Sequence, residues 1–359
     1  MNVTFVKNSL MAALCAGALA ACTAPAPQPV QSSAPTAESS AETTTPAATE
    51  SSTSAAGGGD AGLTPETGPY TVMSCTEELT FEKAPERIVL LYDIGVPFLS
   101  ELGKMDRVVA MSQAATPGIY DDEVYAQLER IPLLEGTKTE GGGVNVSLEK
   151  ILEVHPDLVI GTTNAADSEA LKKSGINMYV PDQYCSELER KPASFEDAKK
   201  ESLKFAKIMN DPEAGKQLVD RLDQKIKAVR EKAPDERVSA AGIYIDEGTE
   251  EFWGYGNASM VQPIFDAVGF DNVYGDNPER LIEGMSMETV LEKNPNTIVL
   301  FFILGTPETV KQTFASLPGA DQLDAVKNDR VFAMPFRLTD PPSPVSVRGV
   351  EKLSELLGS

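Results

Sequence analysis

Ser147–Ile160 reads SLEKILEVHPDLVI, and 139 residues further on Ser286–Val299 reads SMETVLEKNPNTIV. Ser, Glu, Leu, Glu and Pro recur at identical positions, and five more positions keep their chemical type. In each copy the apolar residues (Leu148, Ile151 and Leu152; Met287, Val290 and Leu291) fall at i, i+3 and i+4 behind a serine suited to the N-cap. The proline of His155-Pro156-Asp157 or Asn294-Pro295-Asn296 ends the helix, because it cannot donate and restricts its predecessor. The apolar runs that follow, Leu158–Ile160 and Ile298–Phe302, read as buried strands of a helix-covered parallel sheet. A repeat this widely spaced is too long for a solenoid and fits two similar lobes.

Outward from the two copies the alternation continues. Tyr70–Phe81 reads as an opening hairpin, Arg87–Leu91 as a buried strand, and Phe98–Leu102 as a helix closed by Gly103, with Arg107–Met111 the next strand. Ala166–Lys173 and Met178–Val180 extend the first lobe. Strand Ser239–Ile245, helix Met260–Val268, a helix near Thr309–Ser316, strand Val331–Met334 and helix Ser346–Leu357 build the second. Between them Ser194–Lys232 is one amphipathic helical stretch interrupted at Asn210-Asp211-Pro212, read as a connecting strut. The expected class is α/β: two similar lobes joined by a long rigid helix, with a cleft between them. The boundaries are 68–193 for the first lobe, 194–235 for the connector and 236–359 for the second lobe.

The first fifth of the chain is different. Residues 1–21 carry Lys7 and an apolar run from Leu10 to Ala21, too short for a permanent bilayer span, and read as a signal peptide. The run ends in Leu19-Ala20-Ala21-Cys22, which resembles the bacterial lipobox. That resemblance implies cleavage before Cys22 and a lipid anchor on it, with two or more acyl chains giving stable attachment. Residues 22–67 are dominated by Ala, Ser, Thr, Pro, Gly and Glu, a composition that buries too little apolar area to offset chain entropy. They are expected to form a disordered tether with a reach of about 35 Å.

Composition narrows the function. A formal charge of −23 disfavours nucleic acid and basic docking on an anionic membrane. One histidine, His155, at a helix end, and no cysteine cluster make a bare zinc or manganese site a weak reading. Gly141-Gly142-Gly143 lacks dinucleotide-loop spacing, and no G-x-S-x-G is present. No catalytic residues, metal site or cofactor are expected, and an enzyme is the weakest reading.

Ala84–Val89, the Glu149 copy with its PDLVI, Phe252–Gly256, Phe265–Val273, the Glu288 copy and Arg330–Met334 together resemble a known family. They look like the substrate-binding lipoproteins of ABC importers for ferric siderophores, cobalamin and haem, over residues 80–359. The resemblance implies two lobes on a rigid connector, cargo in the cleft, and an ABC permease with its ATPase as partner. It also implies that one glutamate per lobe, Glu149 and Glu288, meets arginines of the permease; the plainer reading is that acids suit a helix start. The expected cargo is a ferric siderophore, with cobalamin or haem next, bound by a monomer held at the outer face of the cytoplasmic membrane. A surface sensor or adhesion lipoprotein on the same fold is the reading from another class.

Ligand contacts are expected from loops that follow strands. These loops offer Tyr92 and Ser112–Tyr120 in the first lobe, and Trp253, Tyr255 and Arg337 in the second, as flat apolar walls and a bidentate donor. Cys75 and Cys185 remain after processing, in an oxidising compartment, and are expected to pair; two free buried thiols are the alternative.

Overall fold

The computed structural model describes residues 64–138, 144–189 and 191–358. The expected signal peptide, Cys22 and nearly all of the expected tether lie outside these residues, as does Gly141–Gly143. The first lobe is a four-stranded parallel sheet in the order Val108–Met111, Ile88–Leu90, Leu158–Ile160, Asn177–Tyr179. Ile88 and Leu158 face each other in register, and all three residues of both central strands are buried. The opening hairpin pairs Tyr70–Ser74 with Glu77–Phe81. Ser74 Oγ accepts from the Val180 backbone at 2.8 Å and so fixes the hairpin to the sheet.

The second lobe is a six-stranded mixed sheet. Val238–Tyr244 and Val331–Pro335 flank Thr297–Phe302 in parallel. The free edge of Val238–Tyr244 pairs with Phe270–Asn272 in parallel and with Trp253–Tyr255 antiparallel, and Leu281–Ile282 pairs antiparallel outside the latter.

The two copies of the repeat take the same local form. Ser147 Oγ caps helix Leu148–Glu153 by accepting from Lys150, and Ser286 Oγ caps Met287–Lys293 by accepting from Thr289. His155 and Asn294 then adopt positive φ, 46° and 38°, to turn the chain into its strand. Arg87 donates to the carbonyls of Val154 and His155, so the first helix ends beside the start of strand Ile88–Leu90. The second ends beside the start of Val238–Tyr244, where the Asn296 amide donates to Ser239 Oγ.

The connector is two helices, Phe195–Ile208 and Pro212–Arg230, where the sequence reading expected one rod. Asn210 at φ 52° and Pro212 at the second helix start reverse the chain. Lys199 reaches Asp223 at 2.9 Å and the Arg230 guanidinium lies over the Phe195 ring, so the helices run antiparallel. Ala206 and Gly215 meet so closely that a Cβ on Gly215 would sit 2.5 Å from the Ala206 methyl. The last helix, Pro344–Leu356, packs on this hairpin and on the first-lobe helix Val96–Glu101. One apolar cluster therefore runs from Phe98 through Phe205 and Leu222 to Ile264 and Val350, while each sheet keeps a separate core on its other face.

Candidate ligand-binding cleft

Three loops of the first lobe and one of the second converge on a single cavity. After strand Ile88–Leu90, the Leu91 amide still donates to Ile160, but Tyr92 turns to φ 67° and its N–H bonds Ser112 Oγ at 2.7 Å. This turn directs Asp93 into the cleft, where it is only 4 % exposed. Its Oδ2 lies 3.4 Å from the Thr116 hydroxyl, and Ile119 and Tyr120 from the same loop line the cavity.

The loop after strand Asn177–Tyr179 brings in Tyr184 and is pinned on several sides. Cys185 is disulfide-bonded to Cys75 with Cα atoms 5.3 Å apart, and the Tyr184 carbonyl accepts from Thr163 Oγ1 at 2.8 Å. Glu201, buried in the connector, accepts from the Tyr179 hydroxyl at 2.5 Å and from the Asp182 amide at 3.2 Å. From the second lobe, the turn Phe336–Leu338 after strand Val331–Pro335 supplies Arg337, followed by Pro341, Ser343 and Val345.

Arg337 Nη2 stands 3.4 Å from Asp93 Oδ1, an ion pair across the two lobes. Burial opposes the charge on Arg337, but Asp93 and the phenols of Tyr184 and Tyr120 outweigh it and hold its pKa above the ordinary value. Burial pushes the Tyr184 phenol up to about 12 against the pull of Arg337. Burial, reinforced by Asp93, raises Tyr120 well above the usual range. Both phenols therefore keep their protons at neutral pH and present donors. The cavity combines two phenol donors, a guanidinium, a carboxylate and apolar walls: equipment for holding an oxygen-rich molecule.

The sequence pattern of the periplasmic binding protein family matches residues 88–338, more than half of the chain. The chain belongs to the periplasmic binding protein family. An ABC-type Fe3+-hydroxamate transport system structure from Saccharomonospora viridis DSM 43017 is 36 % identical, with a TM-score of 0.71 over 81 % of this chain and 99 % of that one. The ABC transporter substrate-binding lipoprotein YvrC of Bacillus subtilis (strain 168) is 24 % identical over 81 % of this chain and 86 % of its own length. The iron(3+)-hydroxamate-binding protein YxeB of the same organism is 22 % identical over 60 % of this chain and 67 % of its own length.

In this periplasmic binding protein the residues expected at the cleft divide. Arg337 and Tyr120 line it. Tyr92 does not; it is half-buried against the apolar clusters, and its neighbour Asp93 takes the cleft position. Trp253 is half-buried, edge-on to Tyr244 at 5.6 Å, and Tyr244 in turn meets Phe336 at 5.9 Å, so it stands two rings from the residue before Arg337. Tyr255 is corrected: it is 0 % exposed and packs edge-on to Phe301, offering no surface to a ligand. The reason is that Trp253–Tyr255 is a strand held on both edges rather than a loop.

Asp93, Tyr184, Arg280, Asp340 and Ser343 were absent from the sequence reading. Arg280 acts electrostatically on Tyr184 and lies 3.7 Å from Asp340. Asp340 accepts from Ser259 Oγ at 2.7 Å and the Met260 amide at 3.0 Å, while burial raises its pKa against these partners. The one local signal was that Tyr184 precedes Cys185.

Glu149 and Glu288 are exposed in the first turns of their helices, and Ser286 Oγ also donates to Glu288 at 3.0 Å. Because each helix ends beside a strand start of its own sheet, each glutamate lies toward the end of that sheet where its strands finish. Asp93 in the first lobe and Arg337 in the second follow the ends of strands of their own sheets. Among the described residues one trio of metal-ligating types lies close together, Cys75, Cys185 and Glu187, and the disulfide already commits both sulfurs. Among the described residues no helix is long and apolar enough to cross a membrane.

Proposed function

We propose that this binding protein is the receptor of an ABC importer, anchored through Cys22 outside the cytoplasmic membrane, and that it captures a ferric siderophore. The supporting observation is the convergence of Asp93, Tyr120 and Tyr184 from one lobe with Arg337 from the other on a single cavity. Phenol and guanidinium donors suit the oxygen shell of an iron chelate, and the apolar lining suits its organic periphery. The relatives named for Fe3+-hydroxamate support the same reading. The protein performs no chemistry of its own; ATP hydrolysis belongs to the transporter. Glu149 and Glu288 act as docking charges, fixing orientation on the permease more than adding affinity.

A quenching panel tests the cargo. Trp253 is the single tryptophan and connects through Tyr244 to Phe336, the residue before Arg337, so its emission is the probe for changes at the cleft. Saturable quenching by a ferric chelate is expected; saturation by cobalamin or haem alone contradicts the assignment. Deleting the protein from intact cells is expected to stop uptake of that chelate, and unchanged import would favour a sensor role.

A further inference from the structure

The charges in and beside the cleft cancel in pairs. Arg337 is matched by Asp93 at 3.4 Å, and Arg280 by Asp340 at 3.7 Å, with Asp93 only 4 % and Asp340 only 2 % exposed. Among the described residues that line the cavity, Arg337 is the one cation and Asp93 the one anion. A third acid, Asp246, stands beside the aromatic wall and accepts from the Tyr244 hydroxyl at 2.7 Å and from the amides of Ile303 and Leu304. The N-terminus of helix Pro344–Leu356, the remaining positive feature, is closed by the capping box of Ser343 and Ser346. Asp93 Oδ1 faces Arg337 Nη2 at 3.4 Å without forming a hydrogen bond, so the pair is held by charge alone in the cavity wall.

Iron chelates differ in charge. Three hydroxamates, each a monoanion, neutralise Fe(III); three catecholates, each a dianion, leave a trianion. We propose that Asp93 makes this cleft selective for ferric chelates without net negative charge, the tris-hydroxamate class, over trianionic tris-catecholates. The inference rests on the iron-chelate reading above. A trianion placed here meets a fixed carboxylate and an arginine that is already neutralised, in surroundings where like charges repel far more than in water. A neutral chelate takes the donors of Tyr120, Tyr184 and Arg337 on its oxygens. An amide N–H or ammonium on its periphery is attracted by the Asp93 carboxylate, which pairs with Arg337 by charge without a hydrogen bond on Oδ1.

Full-chain protein is titrated with ferrichrome, a neutral tris-hydroxamate, and with ferric enterobactin, a trianionic tris-catecholate, following Trp253 emission. Ferrichrome is expected to bind at least about tenfold more tightly, about 1.4 kcal/mol. Asp93→Asn keeps the shape of the side chain and removes its charge, and is expected to narrow that ratio about tenfold through tighter binding of the trianion. Equal or tighter binding of ferric enterobactin by the unaltered protein overturns the selectivity, and so does an unchanged ratio in a folded Asp93→Asn variant. The ratio in the unaltered protein needs no variant and decides the matter if the variant fails to fold. Binding of neither ferric chelate, with haem or cobalamin bound instead, overturns the iron-chelate reading itself and the selectivity with it.

Discussion

The Tyr179 hydroxyl donates to Glu201 at 2.5 Å in a fully buried contact that joins the last strand of the first sheet to the connector. Burial raises the Glu201 carboxyl to about 7, against the Tyr179 hydrogen bond and the Lys204 charge, with the Asp182 carboxylate adding to the rise. The folded state therefore keeps a proton that the unfolded chain releases near 4.5. Between these values the native state binds more protons, so stability falls as pH rises, by about 3 kcal/mol in all. Chemical denaturation of wild type and Glu201→Gln across pH 4.5–8 is expected to show wild type losing that amount relative to the variant. Parallel curves would contradict it.

Gly349 in the last helix crosses the turn that carries Arg337. A Cβ there would lie 1.8 Å from the Leu338 carbonyl oxygen. Gly349→Ala is expected to destabilise by about 1–3 kcal/mol or more and to weaken cargo binding, because the turn Phe336–Leu338 must move. Denaturant midpoints together with Trp253 titration measure both; a variant with wild-type stability and affinity would refute the link.

The Cys75–Cys185 bond closes a loop of 110 residues and sits next to Tyr184. Replacing both cysteines by alanine is expected to cost about 2–4 kcal/mol of stability on a chain-entropy account. It should also weaken cargo affinity by loosening the loop that holds Tyr184. A free-thiol assay on denatured, unreduced protein gives the complementary reading: no reactive thiol is expected from this pair, and two would contradict the bond.

Most of the architecture was legible because it is written in local rules. Serine caps, i/i+3/i+4 stripes and proline stops placed helices Leu148–Glu153 and Met287–Lys293, and apolar runs placed Leu158–Ile160 and Thr297–Phe302. The connector hairpin was hidden because a break at Asn210-Asp211-Pro212 does not reveal how far the chain turns. Strands Trp253–Tyr255 and Leu281–Ile282 are too short to show an alternating pattern, so Tyr255 was read as a loop residue. The cleft was found to the loop but not always to the residue. The positive φ at Tyr92 passes the cleft position to Asp93, and Arg280, beside the cleft, precedes a two-residue edge strand that periodicity cannot see.

Glu149→Arg with Glu288→Arg is expected to abolish uptake by cells while leaving cargo affinity within about twofold, since both side chains are exposed at helix starts. Radiolabelled-iron uptake and titration of the purified variant measure the two quantities separately. Weakened cargo binding with uptake lost only in proportion would place these glutamates elsewhere in the mechanism.

Cargo held between the lobes is expected to rest against Arg337. Titrating a ferric siderophore into wild type and Arg337→Gln, with folding checked by circular dichroism, tests it most directly. The expected result is a dissociation constant at least about tenfold weaker in the variant, for loss of one charged donor to the bound chelate. An unchanged dissociation constant in a folded variant would contradict the account.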